Sequence, residues 1–431
     1  MPFAVKPTTT TTNMPFAAKP ISTTTTENGM DAAAALSVKS ILPTLDGVTL
    51  ETCDGSEEAR YQLLEASRRL IARLETPFER IWYHTWVSLN NLAIFRIMTD
   101  LGLWEGWRAA GCQEASLDEL LGYCKRGCDK SLFRRLLRHL TADHMLEETG
   151  VERYKPTPLT VELGDSSTPA AAAIRGAIDH QIPSTLHLPS FLASTAYAEP
   201  RDHAATNYIS FDPDHLGLFS RCQATPSKQE SFITCMQGVA AMKAPWTRIY
   251  DTRALLAGRK QGAPLVVDVG GGHGRDLSWM LEMHPDAEEG ELVLQDLPDV
   301  IQIARPDEKG RITCMAHDFF EKQPVLGARA YYMHTVLHDW DDDRCRKILR
   351  NTAAAMTPGY SKLLLHETMM PARGANWYHA MVDVCIMHLV SAAERTEEEW
   401  RALLASEGFR IVKIWHSNPS VECVIEAEVA E

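Results

Sequence analysis

From Glu57 to about Leu140, apolar residues recur at the spacing of an amphipathic helix, as in YQLLEASRRLIARL and WVSLNNLAIFRIMTDLGLWEGW, with Pro and Gly confined to the joints. The spacing predicts a helical first half. Within it, SLDELL opens on a Ser cap. KSLFRRLLRHLTADHMLEET and the strand-like ERYKPTPLT then predict helix, helix and β-ribbon, the order of a winged helix. Beyond Ala263 the period changes. Short apolar runs (PLVVDVG, ELVLQD, ITCMAHDF, RAYYMHTVL, KLLLHETM, FRIVKIW, VECVIEAE) are interspersed with amphipathic helices such as DDRCRKILRNTAAAM and TEEEWRALLASEG. That pattern predicts a doubly wound α/β sheet, whose ligands sit beyond the carboxyl ends of the strands.

Between these halves, residues 166–245 are rich in Ser, Thr, Pro and aromatics, and read as linking helices and a substrate-covering region. At the start, MPFAVKPTTTTTN repeats as MPFAAKPISTTTTEN. Thr runs and Pro offer nothing to bury, so residues 1–45 are expected to be a disordered tail. The expected organisation is therefore tail 1–45, helical module 46–165, linking region 166–245 and cofactor domain 246–431.

Composition narrows the ligand. With 431 residues the chain suits two domains, and a formal charge of −14 disfavours nucleic acid or an anionic membrane. The winged-helix order and the basic RRLLRH stretch would suit DNA binding. The acidic total favours a scaffold or dimerisation role instead. The ten cysteines are scattered and only Cys124 and Cys128 lie close together, which reads as reduced thiols in a cytoplasmic protein and gives no zinc pattern. No secretory or membrane-spanning run is apparent in the sequence.

The chemistry gathers at the predicted strand ends. Asp268 closes the first strand, and Gly270, Gly271, Gly272 and Gly274 follow, a turn where a ligand can approach the main chain closely. Asp296 ends the second strand 22 residues beyond Gly274, about the ~20-residue offset at which an acid meets a ribose diol. Together they predict an adenosine-containing cofactor. Asp268 either contacts that ligand or orients the turn's amides, and Asp296 either binds ribose or caps the helix after it. Asp318 and Phe319 follow the third strand, His338-Asp339-Trp340 the fourth, and Glu367 the fifth. Asp339 is read as a turn or cap residue, since side chains of sequence neighbours usually point apart. For Glu394, an ion pair with Arg395 or a helix-start role competes with catalysis.

The series DVGGGHG, LQDLPDVI, HDFF, VLHDWDDDRCRKIL, KLLLHE and AAERTEEEWRALLASEGFR resembles the plant and fungal small-molecule O-methyltransferases that use S-adenosylmethionine, over roughly residues 75–425. The resemblance implies a Rossmann-like class I methyltransferase sheet with a winged-helix-like dimerisation domain, and a homodimer. It implies His338 as catalytic base with Glu367 and Glu394 beside it. Cofactor contacts fall on Asp268, Gly270, Gly272, Asp296, Leu297, Asp318 and Phe319. This chain has His317 and His334 where many members have Gly and Lys, so His334 is a cofactor contact only if it donates a hydrogen bond in the lysine's place.

Such a reaction suits these residue types. A sulfonium methyl is already activated, so the protein must chiefly hold an oxygen in line with it. A neutral His near pKa ~6.5 can accept the proton of a phenol of pKa ~10 during attack. No metal is expected. Met381, Met387, His388 and Trp340 are the expected acceptor contacts, and a phenolic or enolic secondary metabolite the expected acceptor. Some relatives of the resembling family use the sulfonium only as a fixed charge for ring closure or dehydration, which is the alternative reaction.

Overall fold

A computed structural model of the protein describes residues 38–288, 290–304, 306–307, 310–416 and 422–430. The Thr-rich repeat lies outside the described residues. The chain divides into two units, residues 1–63 and 64–431. In the first, Val38–Asp46 is helical, where the sequence led us to expect the tail to run to residue 45. Val38, Leu42 and Leu45 recur at i, i+4 and i+7, a helical stripe that the threonine-rich composition upstream obscured.

The second unit begins inside the helix Glu57–Leu74 and carries the predicted helical module. There, β1 (Ala115–Ser116) leads into the helix Leu117–Tyr123. Ser116 caps that helix by accepting from the Glu119 amide, while Glu119 returns a carboxylate to the Ser116 amide. The helix Lys130–Ala142 follows, then β2 (Leu146–Gly150) and β3 (Arg153–Pro156), in sheet order β1-β3-β2. The MLEET end of the expected second helix is thus strand. The helix stops at Ala142, and His144 turns the chain at φ +57°. Trp104, Trp107, Leu120, Phe133, Leu137 and Tyr154 form this module's core. Arg134 of the basic stretch pairs with Glu152 at 2.6 Å.

Seven strands build the cofactor domain: β4 (Val266–Val269), β5 (Leu292–Asp296), β6 (Ile312–Ala316), β7 (Ala330–His334), β8 (Lys362–Thr368), β9 (Phe409–His416) and β10 (Glu422–Val429). Their order is β6-β5-β4-β7-β8-β10-β9, parallel through β8, with β10 antiparallel to both neighbours. The chain steps outward from β4 in both directions, so the crevice between the ends of β4 and β7 is the switch point where ligands bind in such sheets. Val266, Leu294, Tyr332, Leu364 and Val424 pack on one face; Val267, Val293, Met333, Leu365 and Ile425 pack on the other. Strand alternation then sends Asp268, His334, His366 and Glu422 to the first face and Glu367 to the second. Among the described residues, no helix is long and apolar enough to cross a membrane.

Candidate active site

The glycine turn after β4 is held open by Asp296. Gly270, Gly272 and Gly274 take φ of +74°, +57° and +79°, conformations that favour glycine. The Gly272 amide donates to Asp296 Oδ2 at 2.8 Å, and the Leu297 amide to Oδ1 at 2.7 Å. Asp296 therefore braces the turn; Leu297, not Asp296, stands at the start of the helix Pro298–Ile303. Asp268 does something different. It is fully buried and neither of its oxygens has a partner, so it does not orient the turn's amides. Burial and then the Asp276 charge hold its carboxyl well above the usual range. A buried carboxylate without a donor is costly, and a cationic ligand group would satisfy it. Such a site suits the ammonium of S-adenosylmethionine. The Phe319 ring lies against Gly270, Leu297 is exposed, and exposed Asp318 accepts the Phe320 amide at 2.9 Å.

Behind the turn runs a closed ring of buried polar groups. His334, ending β7, places Nδ1 2.8 Å from Asp276 Oδ2; Tyr332 donates to Asp276 Oδ1 at 3.0 Å and lies 2.8 Å from His366 Nδ1. Glu422, opening β10, faces His334 Nε2 at 3.6 Å and His366 Nε2 at 3.5 Å. Lys243, from the segment after the helix Pro226–Met242, reaches Glu422 at 2.5 Å and lies 3.5 Å from His334. Burial, the largest single influence, would lower the His334 pKa, but Asp276 and Glu422 together outweigh it and hold the imidazole at about 9. His366 goes the other way: burial and the adjacent His334 charge push it down to about 3. His334 is thus turned to Asp276, with Lys243 and Glu422 around its other nitrogen.

No metal cluster was expected from the sequence, yet Asp276, His334 and His366 offer ligand atoms within 4.8 Å of one another. The histidine rings stack at 4.0 Å and 21°, so their in-plane lone pairs run side by side rather than converging on an ion. The Lys243 ammonium already provides the positive charge there.

Beyond the end of β7 stands His338, in a short 3-10 turn, Leu337–Asp339, reached through Thr335 at φ +48°. Its Nδ1 lies 2.9 Å from Glu394 Oε1. Asp339, expected to point away, turns back within this tight turn and sets Oδ1 3.4 Å from His338 Nε2. Glu367 Oε1 accepts the Leu337 amide at 3.0 Å, and Glu367 Oε2 and Glu394 Oε2 have no partner. Burial alone would lower the His338 pKa; Asp339 and Glu394, with help from Glu367, outweigh it and push the ring up to about 10. Burial raises Glu367 to about 7 against the opposing His338 charge. Glu394 makes neither the Arg395 pair nor the helix start: Thr396 caps the following helix. Arg395 instead holds the turn that carries His338, donating to the carbonyls of Leu337 at 2.9 Å and Trp340 at 2.8 Å.

The expected acceptor residues separate. Trp340 stacks on His203 of the linking region at 5.1 Å and meets the edge of Phe320 at 4.8 Å. Met381 is 41% exposed and Met387 half-buried. His388 is buried and locked into helix packing, with Nδ1 2.9 Å from Ser184 Oγ and its carbonyl accepting from Ser184 and Asn207. Burial lowers its pKa to about 4. Sequence reasoning missed Asp276, Tyr332, His366, Glu422, Lys243 and His203. Asp276 alone carried a local signal, two residues past the last glycine of the turn.

Residues 215–410 match the O-methyltransferase domain family. The O-methyltransferase ATR12 of Stachybotrys chlorohalonatus is 38% identical over 92% of this chain and all of its own length. The solved structure of LepI in complex with S-adenosylmethionine superimposes with a TM-score of 0.79 at 26% identity, over 91% of this chain and 98% of LepI. A structure described as a pericyclic reaction enzyme gives 0.80 at 26% identity, over 91% of this chain and 99% of its own.

Proposed function

The chain belongs to the S-adenosylmethionine-dependent O-methyltransferase family, and from that premise we propose that it methylates a hydroxyl of a phenolic or enolic metabolite with His338 as general base. The observation that carries this reading is the His338–Glu394 pair at 2.9 Å at the carboxyl end of the sheet, beside the glycine turn's strand. The cofactor supplies an activated methyl group on a positively charged sulfur. Asp268, Gly270, Gly272, Asp296, Leu297, Asp318 and Phe319 are the proposed cradle, the unpartnered Asp268 carboxylate being the strongest support. His338 Nε2 takes the acceptor's proton. Glu394 fixes the tautomer through Nδ1 and stabilises the imidazolium that forms, while Glu367 adds negative charge and anchors the Leu337 amide. Trp340, Met381 and Met387 would flank a flat acceptor.

Incubation with methyl-labelled cofactor and a panel of phenols, followed by mass spectrometry, tests the reaction. Label must appear on oxygen in the product. The likeness to a pericyclic enzyme favours a second reading, in which the sulfonium remains intact and polarises a carbonyl. Product formation with all label retained on the cofactor would select it.

The helical module supports a homodimer. Leu74, Phe78, Ile81, Trp82 and Trp86 are 48–73% exposed, and Phe78, Trp82 and Trp86 stack in series at 5.0 and 5.2 Å. Apolar surface of this kind on an acidic protein suits a second copy of the same face. Sedimentation showing a monomer at micromolar concentration would remove this reading.

A further inference from the structure

In the proposed reaction His338 finishes each cycle carrying the acceptor's proton, and it cannot act again until that proton leaves. Both ring nitrogens face carboxylates, Nδ1 toward Glu394 at 2.9 Å and Nε2 toward Asp339 at 3.4 Å. A neutral imidazole would set a lone pair against one of them, so the arrangement holds an imidazolium. Glu394 and Asp339 contact the ring, and the Glu367 charge acts on it from the Leu337 amide. The side chains of Glu394 and Glu367 are fully buried, whereas that of Asp339 is 27% exposed. Of the three, only Asp339 touches both the ring and water.

We propose that Asp339 is the proton exit of this site, relaying the Nε2 proton of His338 to solvent. The N–H bond at Nε2 breaks, its electron pair stays on nitrogen, and an O–H bond forms on Asp339 Oδ1; the carboxyl then yields the proton to water or buffer. The inference rests on His338 being the base.

The surroundings are arranged for this transfer. Burial, with the Glu394 charge, raises the Asp339 carboxyl against the opposing His338 and Lys243 charges, which brings it closer to the ring it serves. Glu394 from the loop before the helix Glu397–Ser406 and Glu367 from β8 favour the charged ring and so hold back its proton, which is why release needs an acceptor in contact with Nε2. Arg395 holds the turn that carries both groups. Tyr378 and Asp383, on the helix Trp377–Val390, face Glu394 from behind, and the Asp383 carboxylate is occupied by the Glu394 amide at 2.9 Å. None of these touches both the ring and water; the ring's own edge is 12% exposed, and direct release there is the slower route that Asp339→Asn leaves. At 3.4 Å the Nε2 contact is longer than a charge-assisted hydrogen bond, which leaves the nitrogen able to turn to an acceptor hydroxyl.

Histidine-selective 15N labelling of the full chain tests this without an acceptor, the His338 resonance being assigned by its loss in His338→Ala. Asp339→Asn should slow exchange of the His338 Nε2 proton with water at least tenfold, and added imidazole buffer should restore it. Asp339→Glu should stay within about threefold of the parent. With a naphthol that the parent methylates, Asp339→Asn should lower kcat at least tenfold in dilute buffer, with the same rescue and unchanged cofactor affinity. Unchanged exchange, or loss of cofactor binding, overturns the proposal. If Asp339→Asn does not fold, Asp339→Ser, equally unable to ionise, carries the same readouts. The two readings fail separately: a fully active His338→Ala sinks His338 as base, whereas an inactive His338→Ala beside a parent-like Asp339→Asn sinks only the proton exit.

Discussion

His334 and His338 stand four residues apart, one ending β7 and one in the turn beyond it, and each sets Nδ1 against a carboxylate, Asp276 at 2.8 Å and Glu394 at 2.9 Å. Their second nitrogens divide them. That of His334 is enclosed by Lys243 and Glu422 within a ring that closes through His366 and Tyr332. That of His338 meets a single, partly exposed carboxylate at 3.4 Å. Equal pairing at one nitrogen therefore says little about role; what distinguishes a base from a structural cation is whether the other nitrogen retains access. The closed cluster should govern folding and the open one turnover.

The sharpest test of that division is His338→Ala, expected to lower kcat by about 10²–10⁴-fold, with cofactor affinity little changed by calorimetry. Loss of cofactor binding instead would make His338 structural and erase the contrast. Next, Lys243→Met leaves buried Glu422 with the His334 imidazolium but without its ammonium and should cost up to about 3–5 kcal/mol of stability, read from urea midpoints; a parent-like midpoint breaks the ring's structural role.

A comparable effect should appear with pH. The folded pKa of His334, about 9, is raised above the usual ~6.5, so its contribution is full below ~6.5 and is lost as pH rises through about 9, on the order of 3 kcal/mol. Asp276 and Glu422 are depressed in the fold by His334 and Lys243 against the pull of burial, so they withdraw stability as pH falls below the ordinary carboxylate range. Thermal midpoints should fall on both sides, and His334→Gln should flatten the alkaline limb. An unchanged alkaline limb would show that His334 is not charged.

The smallest effect belongs to Glu394→Gln. It removes the charge partner of Nδ1 but keeps a hydrogen-bonding side chain, and should raise the barrier by about 1.5–3 kcal/mol, roughly 10–100-fold in kcat. Stability should move less than in Lys243→Met.

The sheet was legible because its inner strands, buried on both faces, read as unbroken apolar runs, and the glycine turn because its positive φ values restrict the residue type. Strand ends and family resemblance pointed to His338, Glu367 and Glu394, and the fold sets Glu394 on the His338 ring and Glu367 on the Leu337 amide beside it. The enclosed ring was not, since Lys243, Asp276, Tyr332, His334, His366 and Glu422 come from five segments with no shared spacing. Asp339 was misread because the rule that neighbouring side chains diverge describes strands, and a 3-10 turn brings them round to one side. The apolar helix VDVCIMHLV announced burial but not its neighbour, so His388 looked like an acceptor contact although Ser184 holds it. The strand β2 was hidden because LEETG continues the helix's charge pattern.

Thr335 lies between the two histidines, a β-branched residue at φ +48°, where such a side chain costs about 1–2 kcal/mol relative to ordinary backbone. A laboratory screen for heat tolerance should therefore enrich Thr335→Gly or Thr335→Asn early. The same winners should lose catalytic precision, because the awkward peptide is what aims the next three residues. Thermal hardening and speed would then trade against each other at one backbone position.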